Sequence, residues 1–474
     1  MPPPEIDIFR ARLGSVTAPA GCGKTQLIAD ALSQHTDSKP VLVLTHTNSG
    51  VTALRARLQR GGVPSSAYRV STIDGFAMRL ATKFPLRTNL NARIFDLANP
   101  STDYQAIRVA VQELLKAGHI SDPIASTYSR LVADEYQDCN SVQHSIVCSI
   151  AQTLPTCVLG DPMQAIFGFR DPLVHWENEA QTAFPPIGTL QTPWRWRLAG
   201  MDGLGTWLLH ARASLQAGQP VDLRGTPEGV QWIQLMQGTE MEQRLVAART
   251  EAPNREGRVL VIGDSMNVNG RNQITMQTPG ATAVEAVDLK DLVNFARRFD
   301  LTSPDALRLL TEFAASLMTQ VGPGSLLDRV KTIRSGRARA PATHAETAAV
   351  AFMAAPNYLS SIDLLNCLAN QHGSRVYRPE VLHCCISALR ASEGENGFVG
   401  AAIQVRERNR HLGRLMGRRA VGSTLLLKGL EADVAVVLEP ERMTAQHLYV
   451  ALTRGASRVV ICSSTPLLTP AQGR

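Results

Sequence analysis

The sequence has no run approaching the roughly 18 consecutive apolar residues that a helical membrane span requires, which excludes an integral helical membrane protein as a reading of its hydropathy. Its opening stretch, MPPPEIDIFRAR, has no apolar signal core, so a cytoplasmic protein is expected. Cysteine is sparse and unpatterned: there are eight, with no Cys-x-x-Cys pair and no His/Cys cluster at zinc spacing. That argues against a disulfide scaffold or a zinc module and for a reduced protein. The adjacent Cys384 and Cys385 read as packing residues. No internal repeat or low-complexity tract is present, although GPGS at residues 322–325 and SGRARAPAT at residues 335–343 read as flexible links.

What is present suggests several domains and a phosphate site. At 474 residues the chain exceeds one ordinary core, and about two to four domains are expected. Its formal net charge of +7 permits a polyanionic partner and is equally compatible with a solvated surface. Residues 13–17 read as a short β run, and residues 26–33 as a helix with apolar Leu27, Ile28, Ala31 and Leu32 at helical spacing. Between them lies APAGCGKT: Ala18, Pro19, Ala20, Gly21, Cys22, Gly23, Lys24 and Thr25. Strand, glycine-rich loop and helix in that order are the setting of a phosphate-gripping loop. Backbone N–H groups around Gly21 and Gly23 could approach phosphate oxygens without steric cost, and the helix dipole adds attraction. Lys24 would neutralise the β and γ phosphates, and the Thr25 hydroxyl would ligate Mg2+. Ala18 stands where the strict pattern has its first glycine. The other reading is an ordinary Gly-rich strand-to-helix turn.

Two downstream segments repeat the theme of a strand ending in acid. In LVADEYQD, residues 131–138, Asp134 could hold the Mg2+ shell while Glu135 polarises an attacking water as general base; an acidic pair there could also be a helix N-cap. In VLGDPMQAIFGFR, residues 158–170, Gln164 could sense a γ-phosphate or its water through an amide that both donates and accepts. Phe167 and Phe169 form either a stacking platform for unpaired bases or two core rings.

These three segments in order resemble the UvrD/Rep-type superfamily 1 DNA helicases, and other segments fit the same family. VLVLTHTNSGVTALRARL, residues 41–58, is similar to its first DNA-contacting motif, with Thr47 and Asn48 at the Thr-Asn pair and His46 where an aromatic residue is common. VSTIDGFAMRL, residues 70–80, resembles the next motif through Thr72 and Gly75, with Asp74 where histidine is frequent. QTPWRW, residues 191–196, matches through an aromatic followed by Arg195, which the resemblance directs to the γ-phosphate. Residues 423–440 carry the Lys-Gly-Leu-Glu core, with Glu431 implied near the ribose. Residues 447–462 carry Ala-Leu-Thr-Arg, with Arg454 implied as an arginine finger. The family's N-terminal adenine-reading glutamine has no counterpart before Ala18, so phosphate recognition is more firmly expected than adenine recognition.

Strand-ending motifs alternating with helical stretches imply an α/β protein with parallel sheets. The resemblance implies two RecA-like P-loop NTPase lobes, residues 1–186 and 187–474, each with a small, mainly helical insertion at about 81–130 and about 300–420. Residues 104–118 and 286–299 read as amphipathic helices and residues 257–267 as a buried strand of the second lobe. The basic stretch Arg406, Arg408, Arg410, Arg414, Arg418 and Arg419, interrupted by Glu407, is either a phosphate-tracking surface or a solvated helix face.

The implied activity is ATP- and Mg2+-dependent movement on single-stranded DNA with unwinding of tailed duplex, in the 3′ to 5′ direction. The alternative is a DNA-stimulated regulatory ATPase subunit of a repair or anti-phage defence complex, because the compact insertions resemble helicase-like subunits of defence systems such as Gabija. No nuclease-like carboxylate cluster follows Arg454. A nuclease or ATPase partner protein would then supply any cutting.

Overall fold

The computed structural model describes residues 6–97, 99–168, 171–392, 397–411 and 417–472. The chain forms two compact units: Met1–Trp232 with Gly429–Glu431 and Pro440–Arg474, and Ile233–Lys428 with Ala432–Glu439. Among the described residues no helix is long and apolar enough to cross a membrane.

The first unit is built on β1 (Leu13–Thr17), β2 (Val41–Thr45), β3 (Tyr68–Thr72), β4 (Leu131–Ala133), β5 (Thr156–Gly160) and β6 (Pro186–Thr189). They lie in the order β3-β2-β4-β5-β1-β6, and each neighbouring pair is parallel. β2, VLVLT, is buried throughout, as expected for a parallel strand covered on both faces. Its side chains alternate accordingly. Leu42 and Leu44 join a core with Leu131, Ala133, Val158 and Phe76, whereas Val41 and Val43 join one with Val16, Ile28, Val132 and Leu159. Pairing of Thr17 with Gly160, Ala133 with Val158 and Thr45 with Thr72 brings all these strand ends to one edge, where α/β sheets place their ligands.

Between β3 and β4 run the helices Pro85–Thr88, Pro100–Lys116 and Ser121–Thr127. The middle one buries Ile107, Val111, Leu114 and Leu115, a stripe at the helical spacing read from residues 104–118. β7 (Val221–Asp222) pairs antiparallel with Leu467–Leu468, and β8 (Val230–Gln234) follows in the chain.

The second unit contains β9 (Val259–Ile262), β10 (Ala281–Ala283), β11 (Arg419–Gly422) and β12 (Ala432–Val437), again parallel, with β9 between β11 and β12 and β10 outside β11. The architecture is α/β with two parallel sheets, the arrangement of RecA-like lobes. Between β10 and β11 lie the helices Lys290–Arg298, Ala306–Ala315, Pro323–Arg334, His344–Ala354, Tyr358–Asn370, Pro379–Arg390 and Gly397–His411. They enclose one apolar core containing Phe295, Phe299, Phe313, Phe352 and Phe398. Cys384 and Cys385 are buried in this core, as their adjacency suggested.

Two local expectations change. The helix read from residue 286 begins at Lys290, because Leu289 adopts a left-handed conformation (φ 38°) and Glu285 is drawn into a buried pair with Arg378, with N–O distances of 2.6 and 2.8 Å. GPGS is not a link. Gly322 (φ 53°) caps Pro323–Arg334, and proline, with its fixed φ and no N–H to satisfy, starts that helix. Residues 335–343 do connect two helices, and Arg329 ties them down by donating to Ala340 O at 2.5 Å.

Phe352 is fully buried against Phe299. Phe352→Ala should cost about 3–5 kcal/mol and Phe352→Leu less than half of that, measured by urea unfolding followed by circular dichroism.

Candidate nucleotide-binding site

The site starts where β1 ends. Ala18 N–H donates to Gly160 O at 2.8 Å, continuing the ladder, and the chain then turns with Cys22 N–H on Pro19 O at 3.1 Å. Gly21 (φ 70°) and Gly23 (φ 88°) lie in the left-handed region. A Cβ on Gly21 would stand 2.5 Å from Trp196 Cζ3, and one on Gly23 3.1 Å from Trp194 Cδ1. Ala18 is not among the residues with positive φ, so alanine serves where the strict pattern has glycine. Gly23 caps Lys24–Ser33, and the unpaired amides of that first turn belong to the loop. The loop is also held from outside: Arg195 N–H donates to Gly21 O at 3.0 Å, and Ala20 N–H donates to the Tyr449 hydroxyl at 3.0 Å.

Lys24 sits between the two acids that end β4. Its Nζ is 3.1 Å from Asp134 Oδ1 and donates to Glu135 Oε1. Burial alone would lower the Lys24 pKa, but the charges and hydrogen bonds of Asp134 and Glu135 hold it above the ordinary value. Burial raises the Asp134 pKa, Lys24 opposes that shift and Glu135 adds to it. Glu135 has φ 55°, a backbone state that costs a non-glycine residue about 1–3 kcal/mol and persists only where its surroundings impose it. Here Glu135 N–H donates to Asp134 Oδ1 at 2.9 Å, while Gln137 Nε2 donates to Glu135 Oε2 at 2.6 Å.

Gln137 links the two acid-ending strands, since its Oε1 accepts from Asp161 N at 3.1 Å. Asp161, fully buried after β5, accepts from Gln164 Nε2 at 3.1 Å and from Arg212 at 2.8 Å. Gln164 Oε1 in turn accepts from Arg454 at 3.3 Å. Arg454 follows the helix Ala445–Leu452 and is buried, donating also to Val450 O at 2.9 Å and Thr453 Oγ1 at 3.1 Å. Burial and then the nearby Arg195 lower its pKa to about 10, so it carries its charge at neutral pH. Arg195 donates to Thr453 O at 2.6 Å and to Glu431 Oε1. The structure therefore brings Lys24, Asp134, Glu135, Gln164, Arg195, Glu431 and Arg454 into one connected polar path. Thr25 occupies the first turn of the loop's helix.

Sequence reading passed over Gln137, Asp161 and Tyr449, although each lies inside a segment already singled out. Trp196, the last residue of QTPWRW, was passed over in the same way, and Arg212 carried no signal. An arginine within an amphipathic helix reads as a solvated charge, and Trp196 shows its role only by filling the space over Gly21 and donating to Gly455 O at 2.8 Å.

The residues expected to meet DNA are distributed differently. Thr47 and Thr72 cap the helices Asn48–Arg60 and Ile73–Lys83, their hydroxyls accepting from Gly50 N at 3.0 Å and Gly75 N at 2.9 Å; such caps contribute about 1 kcal/mol each. Asn48 is exposed on the first turn. Phe167 is half-buried and stacks on His46, with centroids 5.8 Å apart and planes at 25°, so the histidine supplies a ring where the family has an aromatic residue. Phe169, Arg414 and the side chain of Arg410 lie outside the described residues. Asp74 pairs with Arg108 at 2.6 and 2.7 Å, tying β3's helix to the insertion. Within the basic stretch, Arg406 pairs with Glu407 at 2.7 Å, and Arg419 donates to Thr250 O at 2.8 Å.

A Gly-rich loop on a parallel sheet, with a lysine held by strand-end carboxylates, defines a P-loop nucleotide site. Residues 96–185 match the family model of the UvrD/REP helicase N-terminal domain, the family that the motifs on either side of that segment resemble. Among solved structures it is similar to the Pif1 helicase from Candida albicans at 13% identity and a TM-score of 0.31, over 56% of this chain and 51% of that one. It thus spans about half the length of that protein. No curated protein matches it.

The donor set fits a nucleoside triphosphate with a divalent cation: a glycine cradle that a Cβ would fill, Lys24 upon it, the buried carboxylate of Asp134, and Thr25 beside the lysine. Gly21→Ala should weaken ATP binding by about tenfold or more, because both φ and the Trp196 ring oppose it. Ala18→Gly should stay within about threefold of the parent. Fluorescent-nucleotide titration of both variants checks this.

Proposed function

We propose that this chain is an ATP- and Mg2+-dependent motor that moves along single-stranded DNA in the cytoplasm, 3′ to 5′, and opens tailed duplex. The observation that carries the reading is the polar path from Lys24 through Glu135, Gln137, Asp161 and Gln164 to Arg454. Such a path lets groups on distant chain segments report on one phosphate.

When bound, MgATP supplies the transferable phosphoryl group. Lys24 would meet the phosphate charge, and Thr25 and Asp134 would hold the metal. Glu135 takes the proton of the attacking water, its two oxygens oriented by Lys24 and Gln137. Gln164 orients that water and links it to Arg454, while Arg195 and Arg454 meet charge that develops in the transition state. Glu431, bound to Arg195, would serve the ribose. Asn48, Thr47, Thr72 and the His46–Phe167 pair follow strands at the same sheet edge, where backbone contacts and base stacking would hold a single strand. The proposed division keeps two lobes, residues 1–186 and 187–474.

Lys24→Ala should reduce DNA-stimulated ATP hydrolysis by about a hundredfold or more, and unimpaired turnover would refute the assignment. Chelating Mg2+ should do the same to the parent protein. Phe167→Ala should weaken single-strand binding by about 1–3 kcal/mol, read by fluorescence anisotropy. Strand displacement on a 3′-tailed duplex tests the motor itself: DNA-stimulated hydrolysis without displacement would instead make the chain a regulatory ATPase subunit that gates a nuclease or ATPase partner.

A further inference from the structure

We propose that Arg212 is a positioning residue of the nucleotide site: it holds Asp161 as a pure acceptor, which turns the Gln164 amide so that its oxygen faces Arg454. The inference rests on the ATPase reading given above and names a residue outside the segments that carry the family resemblance.

Asp161 is fully buried, and its surroundings are filled with donors. Oδ1 accepts from Arg212 Nε at 3.2 Å, from Arg212 Nη2 at 2.8 Å and from Met163 N at 3.2 Å. Oδ2 accepts from Gln164 Nε2 at 3.1 Å. An ionised carboxylate offers acceptors only, so the Gln164 group that faces it must be the NH2 end. The amide oxygen is thereby left on the side where Arg454, a donor only, lies at 3.3 Å. A reversed amide would set oxygen against the carboxylate and NH2 against the guanidinium. Both hydrogen bonds would be lost and replaced by repulsions, so the orientation follows from the charge on Asp161.

Arg212 pairs with the buried Asp161 carboxylate at 2.8 Å and provides its counter-charge out of water. It lies in the helix Asp202–Gln216, and its Nη1 donates to Gln216 Oε1 at 3.1 Å, which holds the guanidinium plane from its far end. Burial would lower the Arg212 pKa, but Asp161 more than compensates. The hydrogen bonds of Arg212 run to Asp161 and Gln216, so its influence on the reacting groups passes through Asp161 and Gln164. Asp161 N–H also holds the Gln137 oxygen at 3.1 Å, which turns the NH2 of that second amide towards Glu135 by the same logic.

The experiment measures DNA-stimulated ATP hydrolysis by the full chain for the parent, Lys24→Ala, Arg212→Met, Arg212→Lys, Gln164→Ala and the double variant Arg212→Met/Gln164→Ala. Arg212→Met should lower kcat by about tenfold or more while the KM for ATP moves less than about threefold. Arg212→Lys, which keeps the charge, should recover a large part of that loss. In the Gln164→Ala background, Arg212→Met should change kcat by less than about twofold, because the group it orients is already gone. Unchanged kcat in Arg212→Met, or losses that multiply in the double variant, would overturn the proposal. Should Arg212→Met fail to fold by circular dichroism, the isosteric Asp161→Asn carries the same test. It should lose kcat without multiplying the loss of Gln164→Ala, and parent-like turnover would overturn the proposal. A parent chain without hydrolysis, or an active Lys24→Ala, would instead remove the ATPase reading on which the inference rests.

Discussion

The parallel pairing of β5 with β1 on one side and β4 on the other is the constraint on which the site depends. With Thr17 opposite Gly160 and Ala133 opposite Val158, the three strands end within one or two residues of each other along the sheet edge. Ala18, Asp134 and Asp161 are the residues that follow these ends. A slip of one residue in either ladder would turn the side chains of that strand to the opposite face and part Lys24 from its carboxylates. Apolar residues on both faces of β2, β4 and β5 oppose such a slip, since each face buries a separate core.

On that edge the polar groups are mutually dependent. Burial works against the charge of Lys24, which Asp134 and Glu135 favour, and against the charge of Asp134, which Lys24 favours. Buried ion pairs add little net stability over an apolar replacement but are costly to break singly, by about 3–5 kcal/mol. Their value here is orientation. Glu135, in an unfavourable backbone state, has each carboxylate oxygen held by a different donor, and Gln137 and Gln164 each have both ends of the amide engaged. Groups so fixed need little reorganisation when charge develops nearby.

Much of this was legible in the chain. The glycine loop and the two acid-ending strands rest on local rules of backbone conformation and spacing, the Ala-Leu-Thr-Arg string rests on the family resemblance, and the residues named from them meet in the structure. The amphipathic stripe at 104–118 was legible for the same reason. GPGS misled because glycine and proline mark both links and helix starts, and only packing of the following turn separates the two. The helix expected from residue 286 began late because its apolar periodicity continues into residues whose backbone is claimed by the Glu285–Arg378 pair, a contact 93 residues apart in sequence.

The sequence by itself determined the glycine loop, the acid-ending strands and the helices that follow them, because glycine conformation, strand burial and helix capping act between neighbours. Tertiary structure decided what those residues do to one another. That Ala18 needs no glycine, that Trp196 closes over Gly21, and that Asp161 faces Arg212 and Gln164 rather than solvent are matters of what lies opposite in space. Hydrogen-bond direction and the compensation of buried charge are set by such partners, and partners distant in the chain leave no periodic trace in it.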